Sequence, residues 1–177
     1  MQVEPILTDR LDLLPLRAED ADEMADVLAD PVLYAFTGGE PPTPPSLRAR
    51  YERQVAGSHD PAERWYNWVI RLRDAGCLCG TVQATVTTGP AAGDAVAEVA
   101  WVVGVPWQGR GIATEAARAL IGWLGRWPVR QVIAHIHPDH HASAAVAAAC
   151  GLAATEQWQD GEIRWAMSAA PSQSPRS

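Results

Sequence analysis

Apolar and polar positions along this chain fall into blocks that predict strands and helices of a mixed α/β order. Leu11-Asp12-Leu13-Leu14-Pro15-Leu16 partly alternates and predicts a first strand. Asp20 then caps a helix whose Ala21, Met24, Ala25, Leu28 and Ala29 recur as one apolar stripe, and Asp30-Pro31 ends it. Thr37 to Pro45 carries turn chemistry alone and predicts a loop. Ser46 caps a second helix, Leu47 to Ala56, which Gly57 stops. Three strands follow over 65–71, 78–88 and 95–105, the last two joined by a Gly/Pro-containing turn at 89–94. The 95–105 strand is nearly all apolar, which predicts a central strand buried on both faces. Ala113, Ala116, Ala117, Leu120, Ile121 and Leu124 form the stripe of a third helix, closed by Pro128. A strand over 131–136 and a helix over 142–150, stopped by Gly151, come next. Strands 155–159 and 162–168 flank the hairpin turn Asp160-Gly161. Residues 169–177 read as a frayed tail, leaving residues 1–168 as a single domain.

The connection before the third helix carries the candidate chemistry. Val103-Gly104-Val105-Pro106-Trp107-Gln108-Gly109-Arg110-Gly111-Ile112-Ala113-Thr114 lies between an apolar strand and an amphipathic helix. Gly109 and Gly111 allow a tight turn and close approach of a ligand. The free N–H groups of the helix start face that turn, and with the positive helix end they suit an anion such as phosphate; Arg110 adds a charge. A P-loop is excluded because it needs a lysine and the chain has none. The dinucleotide fingerprint fits poorly, because Thr114 stands where its last Gly or Ala belongs and an antiparallel meander precedes it. A tight strand-to-helix turn without a ligand is the remaining reading.

Composition narrows the partners. Twenty-one acidic against 14 basic side chains, all of them Arg, give a net charge of −7. That disfavours a nucleic-acid binder, which needs a basic field, and tolerates a cationic amine. Three cysteines in a 177-residue chain point to a reducing compartment rather than a disulfide framework. No signal peptide or membrane span is recognisable, so the expected location is cytoplasmic. His135-Ile136-His137-Pro138-Asp139-His140-His141 follows no standard zinc spacing, so no metal is expected. A metal-dependent hydrolase built on these histidines is the less favoured alternative.

Gln108-x-x-Gly111-x-Ala113 resembles the Q/R-x-x-G-x-G/A signature of the GNAT acyltransferases, where it grips the pyrophosphate of acetyl-CoA. Thr8-Asp9-Arg10-Leu11, the segment Glu98 to Trp101, and Gly111-Ile112-Ala113-Thr114-Glu115-Ala116 resemble the RimJ/RimL branch, which contains N-terminal acetyltransferases of ribosomal proteins. The resemblance spans about residues 7–168. It implies a GNAT fold of the α/β (α+β) class, a mostly antiparallel sheet of about seven strands splayed between the fourth and fifth, with about four helices. It implies acetyl transfer from acetyl-CoA to a primary amine by direct attack, and it is compatible with a homodimer. The cofactor arm would run along main-chain groups of Val103 and Val105, and the pyrophosphate would rest on Gln108, Gly109, Arg110, Gly111, Ile112, Ala113 and Thr114. Glu98 matches the position where several relatives keep a general base, with a water relay as the competing route. The tyrosine that many members use as general acid is missing near Ala147. Ser143 matches the serine of the RimL-like Asn-x-x-Ser pattern, and His140 replaces its Asn beside the cofactor arm. The acceptor pocket would be built from Tyr34, Phe36 and Trp68, with Trp65, Tyr66 and Trp165 as further aromatics and His135 lining the acyl cleft. The missing Tyr and altered Asn also fit a non-catalytic acyl-CoA-binding module of the same fold.

Overall fold

The computed structural model describes residues 3–89, 91 and 94–168; the expected tail at 169–177 and part of the 89–94 turn lie outside the described residues. The strands are β1 (Ile6–Leu7), β2 (Leu11–Pro15), β3 (Glu63–Leu72), β4 (Cys77–Thr87), β5 (Ala95–Val103), β6 (Val129–Ile136), β7 (Ala153–Gln159) and β8 (Glu162–Ser168). They form one sheet in the order β1-β2-β3-β4-β5-β6-β8-β7. All neighbours are antiparallel except β5 and β6. The expected seven strands are thus joined by a two-residue β1, too short to show any period in the sequence. The strands expected as fourth and fifth are β5 and β6.

Four helices cover the sheet: α1 (Ala21–Val27), α2 (Pro44–Ala56), α3 (Ile112–Leu124) and α4 (His141–Ala149). Strand parity separates two cores. Leu11, Leu13, Trp68, Ile70, Val82, Ala97, Val99 and Ile136 pack with Ile112, Leu120 and Trp123 of α3. Val69 and Leu78 on the opposite face pack with Met24 of α1 and Leu47 and Tyr51 of α2. Of the predicted stripe, Ala21, Met24, Ala25 and Leu28 are buried, whereas α1 stops at Val27 and Ala29 beyond it is exposed. Helices α1 and α2 cover the side of the sheet made by β3 and β4 and leave the β5–β6 part of that face open.

Of the boundaries that differ from the sequence expectation, two bear on the site. The second helix begins at Pro44, and its cap is Thr43, whose hydroxyl accepts from the Ser46 N–H at 3.4 Å. The Pro-rich stretch looked like loop, yet proline is well suited to the first helical turn, where no N–H is needed. The second concerns β5, which ends at Val103 and buries one face only. Ala97, Val99 and Val103 are buried, whereas Ala100 and Val102 on the other face are exposed. Its apolar character on both faces therefore reflects a groove, not a second packed layer. No helix among the described residues is long and apolar enough to cross a membrane.

Candidate active site

Three pieces of backbone meet at the end of β5. The first is the connection to α3, where Val105–Trp107 makes a single 3-10 turn. Gly109 and Gly111 then take φ of 71° and 74°, the left-handed region that a Cβ disfavours. Gly111 is the residue before Ile112 and has no side chain with which to cap α3. The main-chain N–H groups of residues 109–114 consequently have no main-chain partner among the described residues. Six open donors on a left-handed turn at a helix start make a cradle for an anion. The Gln108 side chain does not reach outward: its Nε2 donates to the Val103 carbonyl at 2.9 Å and braces the turn from below.

The second piece is a gap in the sheet. β5 and β6 pair in parallel only from Ala95↔Val129 to Glu98↔Ile133. Beyond Glu98, β5 continues to Val103 with its β6-facing edge unpaired, while β6 stays bound to β8. This is the expected splay, and Glu98 sits at its vertex. Val105 lies beyond the strand, in the 3-10 turn, and its carbonyl already accepts from the Gln108 N–H at 3.2 Å. The unpaired edge thus ends at Val103, not at Val105 as the sequence suggested.

At the vertex, His135 Nδ1 lies 2.7 Å from Glu98 Oε1. The imidazole is only 9% exposed, whereas the carboxylate is 45% exposed, so its other oxygen remains reachable from the groove. Thr85, opposite Glu98 on β4, and Trp65, opposite Thr85 on β3, share this face.

The third piece is a ring cluster in front of α4. Phe36, from the segment after α1, stacks on His140 with ring centres 4.5 Å apart and lies 5.3 Å from His137. His140 immediately precedes α4, and its Nε2 is 3.5 Å from the Ser143 Oγ in the first turn of that helix. Burial, helped by the nearby His137, lowers the His140 pKa below 6.5, with Glu162 opposing, so the ring is neutral at pH 7. Ala147, where the family's tyrosine was sought, is fully buried in the α3-side core. Among the described residues no three His, Cys, Asp or Glu side chains converge as metal ligands.

Several expected acceptor residues lie elsewhere. Trp68 and Tyr66 share the α3 face, because strand residues two apart point the same way. The Trp68 ring is edge-on to Trp123, and its Nε1 donates to the Glu4 carbonyl at 2.8 Å. The Trp68 ring is therefore part of the α3-side core, while the residue also borders a cavity beneath α2. Trp165, paired with Ala134, likewise packs against the α3-side core. The Tyr34 hydroxyl is tied to the Leu28 carbonyl at 2.9 Å. Of the aromatics, Phe36 and Trp65 remain on the groove side.

One functional network had no sequence signal beyond the Thr8-Asp9-Arg10 resemblance. Glu115 accepts from Thr8 Oγ1 at 2.6 Å, from the Arg10 N–H at 3.1 Å and from Arg10 Nε at 2.7 Å. Arg10 Nη1 also donates to the Arg110 carbonyl at 3.0 Å. This clasp ties the first turn of α3 and the glycine turn to the start of β2. Burial alone would raise the Glu115 carboxyl, but the bonds from Thr8 and Arg10 and the Arg10 charge outweigh it and hold it below 4.5.

The sequence pattern of the acetyltransferase (GNAT) domain matches residues 10–153. No curated protein matches the chain. Among solved structures, the ribosomal-protein-S5-alanine acetyltransferase of Vibrio fischeri superposes with a TM-score of 0.74 at 18% identity, covering 94% of this chain and 97% of that one. RimL, a ribosomal L7/L12 α-N-protein acetyltransferase in complex with coenzyme A, gives 0.72 at 13% identity, covering 93% and 98%. An acetyltransferase from Agrobacterium tumefaciens gives 0.70 at 25% identity, covering 94% and 95%. The splayed sheet and the glycine turn described above are therefore those of a shared fold, and this chain belongs to the GNAT acetyltransferase family, as an acyltransferase.

Proposed function

We propose that the chain transfers the acetyl group of acetyl-CoA to a primary amine by direct attack, without an acyl-enzyme. The observation that carries this reading is the placement of Glu98 at the vertex of the β5–β6 gap, with the open amides of residues 109–114 following the other end of the unpaired edge at Val103. Those amides suit a diphosphate: six successive donors without a main-chain partner lie at a helix start, and backbone dipoles need no reorganisation to hold charge there. The unpaired edge of β5 from residue 99 to Val103 suits an extended arm that borrows strand hydrogen bonds. Bound acetyl-CoA supplies an activated thioester.

The residues of the chain then divide the proton work. Glu98 accepts a proton from the acceptor ammonium, leaving a neutral amine as nucleophile. His135 holds one carboxylate oxygen, so the other faces the groove. As the N–C bond forms and the C–S bond breaks, the second proton released by the nitrogen reaches the departing sulfur by relay through the Ser143 hydroxyl, which gives one proton and takes up the other, with neutral His140 beside it. Phe36 and His140, stacked in front of α4, exclude water. Cys150 takes no part, because burial raises its thiol pKa, partly offset by the Arg118 charge, and it sits at the end of α4.

A non-catalytic acyl-CoA-binding module is the second reading, favoured by the buried Ala147 where many members use a tyrosine. Steady-state release of coenzyme A with a panel of primary amines separates the two. Amine-dependent release supports transfer; tight cofactor binding with no amine-dependent release supports the module.

A further inference from the structure

A cavity of about 160 Å³ lies between α2 and the groove face of the sheet. Arg50, Tyr51 and Gln54 of α2 line it from above, and Asn67, Thr81 and Gln83 line it from β3 and β4. An apolar cavity of similar size, about 150 Å³, holds a benzene ring, so this one takes a group of several heavy atoms. Its lining mixes these polar side chains with Leu16, Leu28, Trp68 and Val82. Tyr51 is 3% exposed, yet its hydroxyl has no hydrogen-bond partner, and neither does Gln54 Oε1. Buried polar atoms are normally satisfied, so these two are placed to serve something that enters. Burial pushes the Tyr51 hydroxyl up to about 12, so it stays protonated and able to donate.

Arg50 is the one charged residue of the lining, with the Asp20 carboxylate near enough to act on Tyr51 from outside it. Arg50 forms no salt bridge among the described residues, and no carboxylate lines the cavity. The cavity is also close to the reaction centre. Gln83 pairs with Ala100 and Thr85 pairs with Glu98, so Gln83 and Glu98 are diagonal neighbours on one face. Such neighbours lie about 7–8 Å apart.

We infer that this cavity anchors the far end of the acceptor and that the group it takes is a carboxylate, so that the substrate is an amine bearing a carboxylate within one short chain of its nitrogen. Arg50 supplies the charge, Tyr51 a donor, and Asn67 and Gln83 further amide donors. A second ammonium meets the Arg50 guanidinium and no counter-charge in the lining, so diamines and polyamines are rejected. The inference rests on the acetyl-transfer reading for its meaning, but its binding test does not.

Calorimetry on the full chain, free and loaded with coenzyme A, tests it with ω-amino carboxylates of four to seven carbons, their carboxamides, and diamines of matched length. The expected result is that at least one carboxylate binds ten-fold or more tightly than its carboxamide and diamine. Arg50→Ala should remove most of that preference, and Tyr51→Phe should weaken the carboxylate several-fold; both should keep the wild-type affinity for coenzyme A, which reports an intact fold. Equal or tighter binding of the diamines, no binding of any carboxylate, or a preference that survives Arg50→Ala overturns the proposal. Loss of the acetyl-transfer reading has a different signature: no binding of coenzyme A, while the carboxylate preference of the free chain stands.

Discussion

His135 and Glu98 are joined at 2.7 Å where two parallel strands part. The pair depends on register: Glu98 is opposite Ile133, and His135 is the next residue of β6 on the same face. A one-residue slip of β6 would turn the imidazole to the opposite face. Glu98→Gln keeps the shape and removes the proton acceptor. We expect it to lower kcat about 100-fold or more. His135→Ala leaves the carboxylate in place but unanchored, so a smaller loss of kcat is expected. An unchanged kcat in both variants would remove the pair from the mechanism and favour a water relay.

The Glu115 clasp predicts a coupling between stability and cofactor binding. Glu115→Gln weakens contacts to Thr8 and Arg10 that are partly exposed, so the expected cost is about 1 kcal/mol, seen as a lower Tm at pH 7. The folded-state carboxyl is held below 4.5, so its stabilisation is complete above that value and is lost as pH falls through the folded pKa. The gap between wild type and variant should therefore close on acidification below pH 4.5. Weaker binding of coenzyme A should accompany the lower Tm, because the same side chain steadies the glycine turn.

Gly111→Ala tests the turn itself. A Cβ there meets only Arg10 Nη2, at 3.5 Å, so space is not the difficulty. The cost is the left-handed φ of 74°, about 1–2 kcal/mol. Thermal unfolding should show that loss, and calorimetry should show a weaker affinity for coenzyme A than in a Gly122→Ala control, whose added Cβ meets nothing within 4 Å.

His140 predicts a second pH effect. Burial, then His137, lower its pKa from 6.5 in the folded chain, so the unfolded chain binds the proton more readily. Stability should fall as pH drops below 6.5 and level off once the folded-state pKa is passed. His140→Gln should flatten that part of the curve in urea titrations between pH 7 and pH 5. A slope unchanged by the substitution would contradict the assignment.

Much of this architecture is legible in the sequence, and the exceptions have physical causes. The α1 and α3 stripes and the glycine turn are local patterns, and each appears where its spacing places it. Trp68 shows the limit of reading composition without parity. An aromatic-rich strand suggested a pocket wall, but Tyr66 and Trp68 alternate with Trp65 and Asn67, and the first pair faces α3. The apolar run of β5 suggested burial on both faces, whereas its Ala100 side borders the groove. The Glu98–His135 contact and the cavity beneath α2 depend on strand register and helix docking, which no window of sequence contains.

The central claim is that open amides at residues 109–114 hold the diphosphate of acetyl-CoA. Isothermal titration of the folded chain with coenzyme A and, separately, with pantetheine, which lacks the diphosphate, tests it most directly. The account predicts saturable binding of coenzyme A and affinity for pantetheine at least 100-fold weaker. Equal affinity for the two, or no heat with coenzyme A, would contradict it.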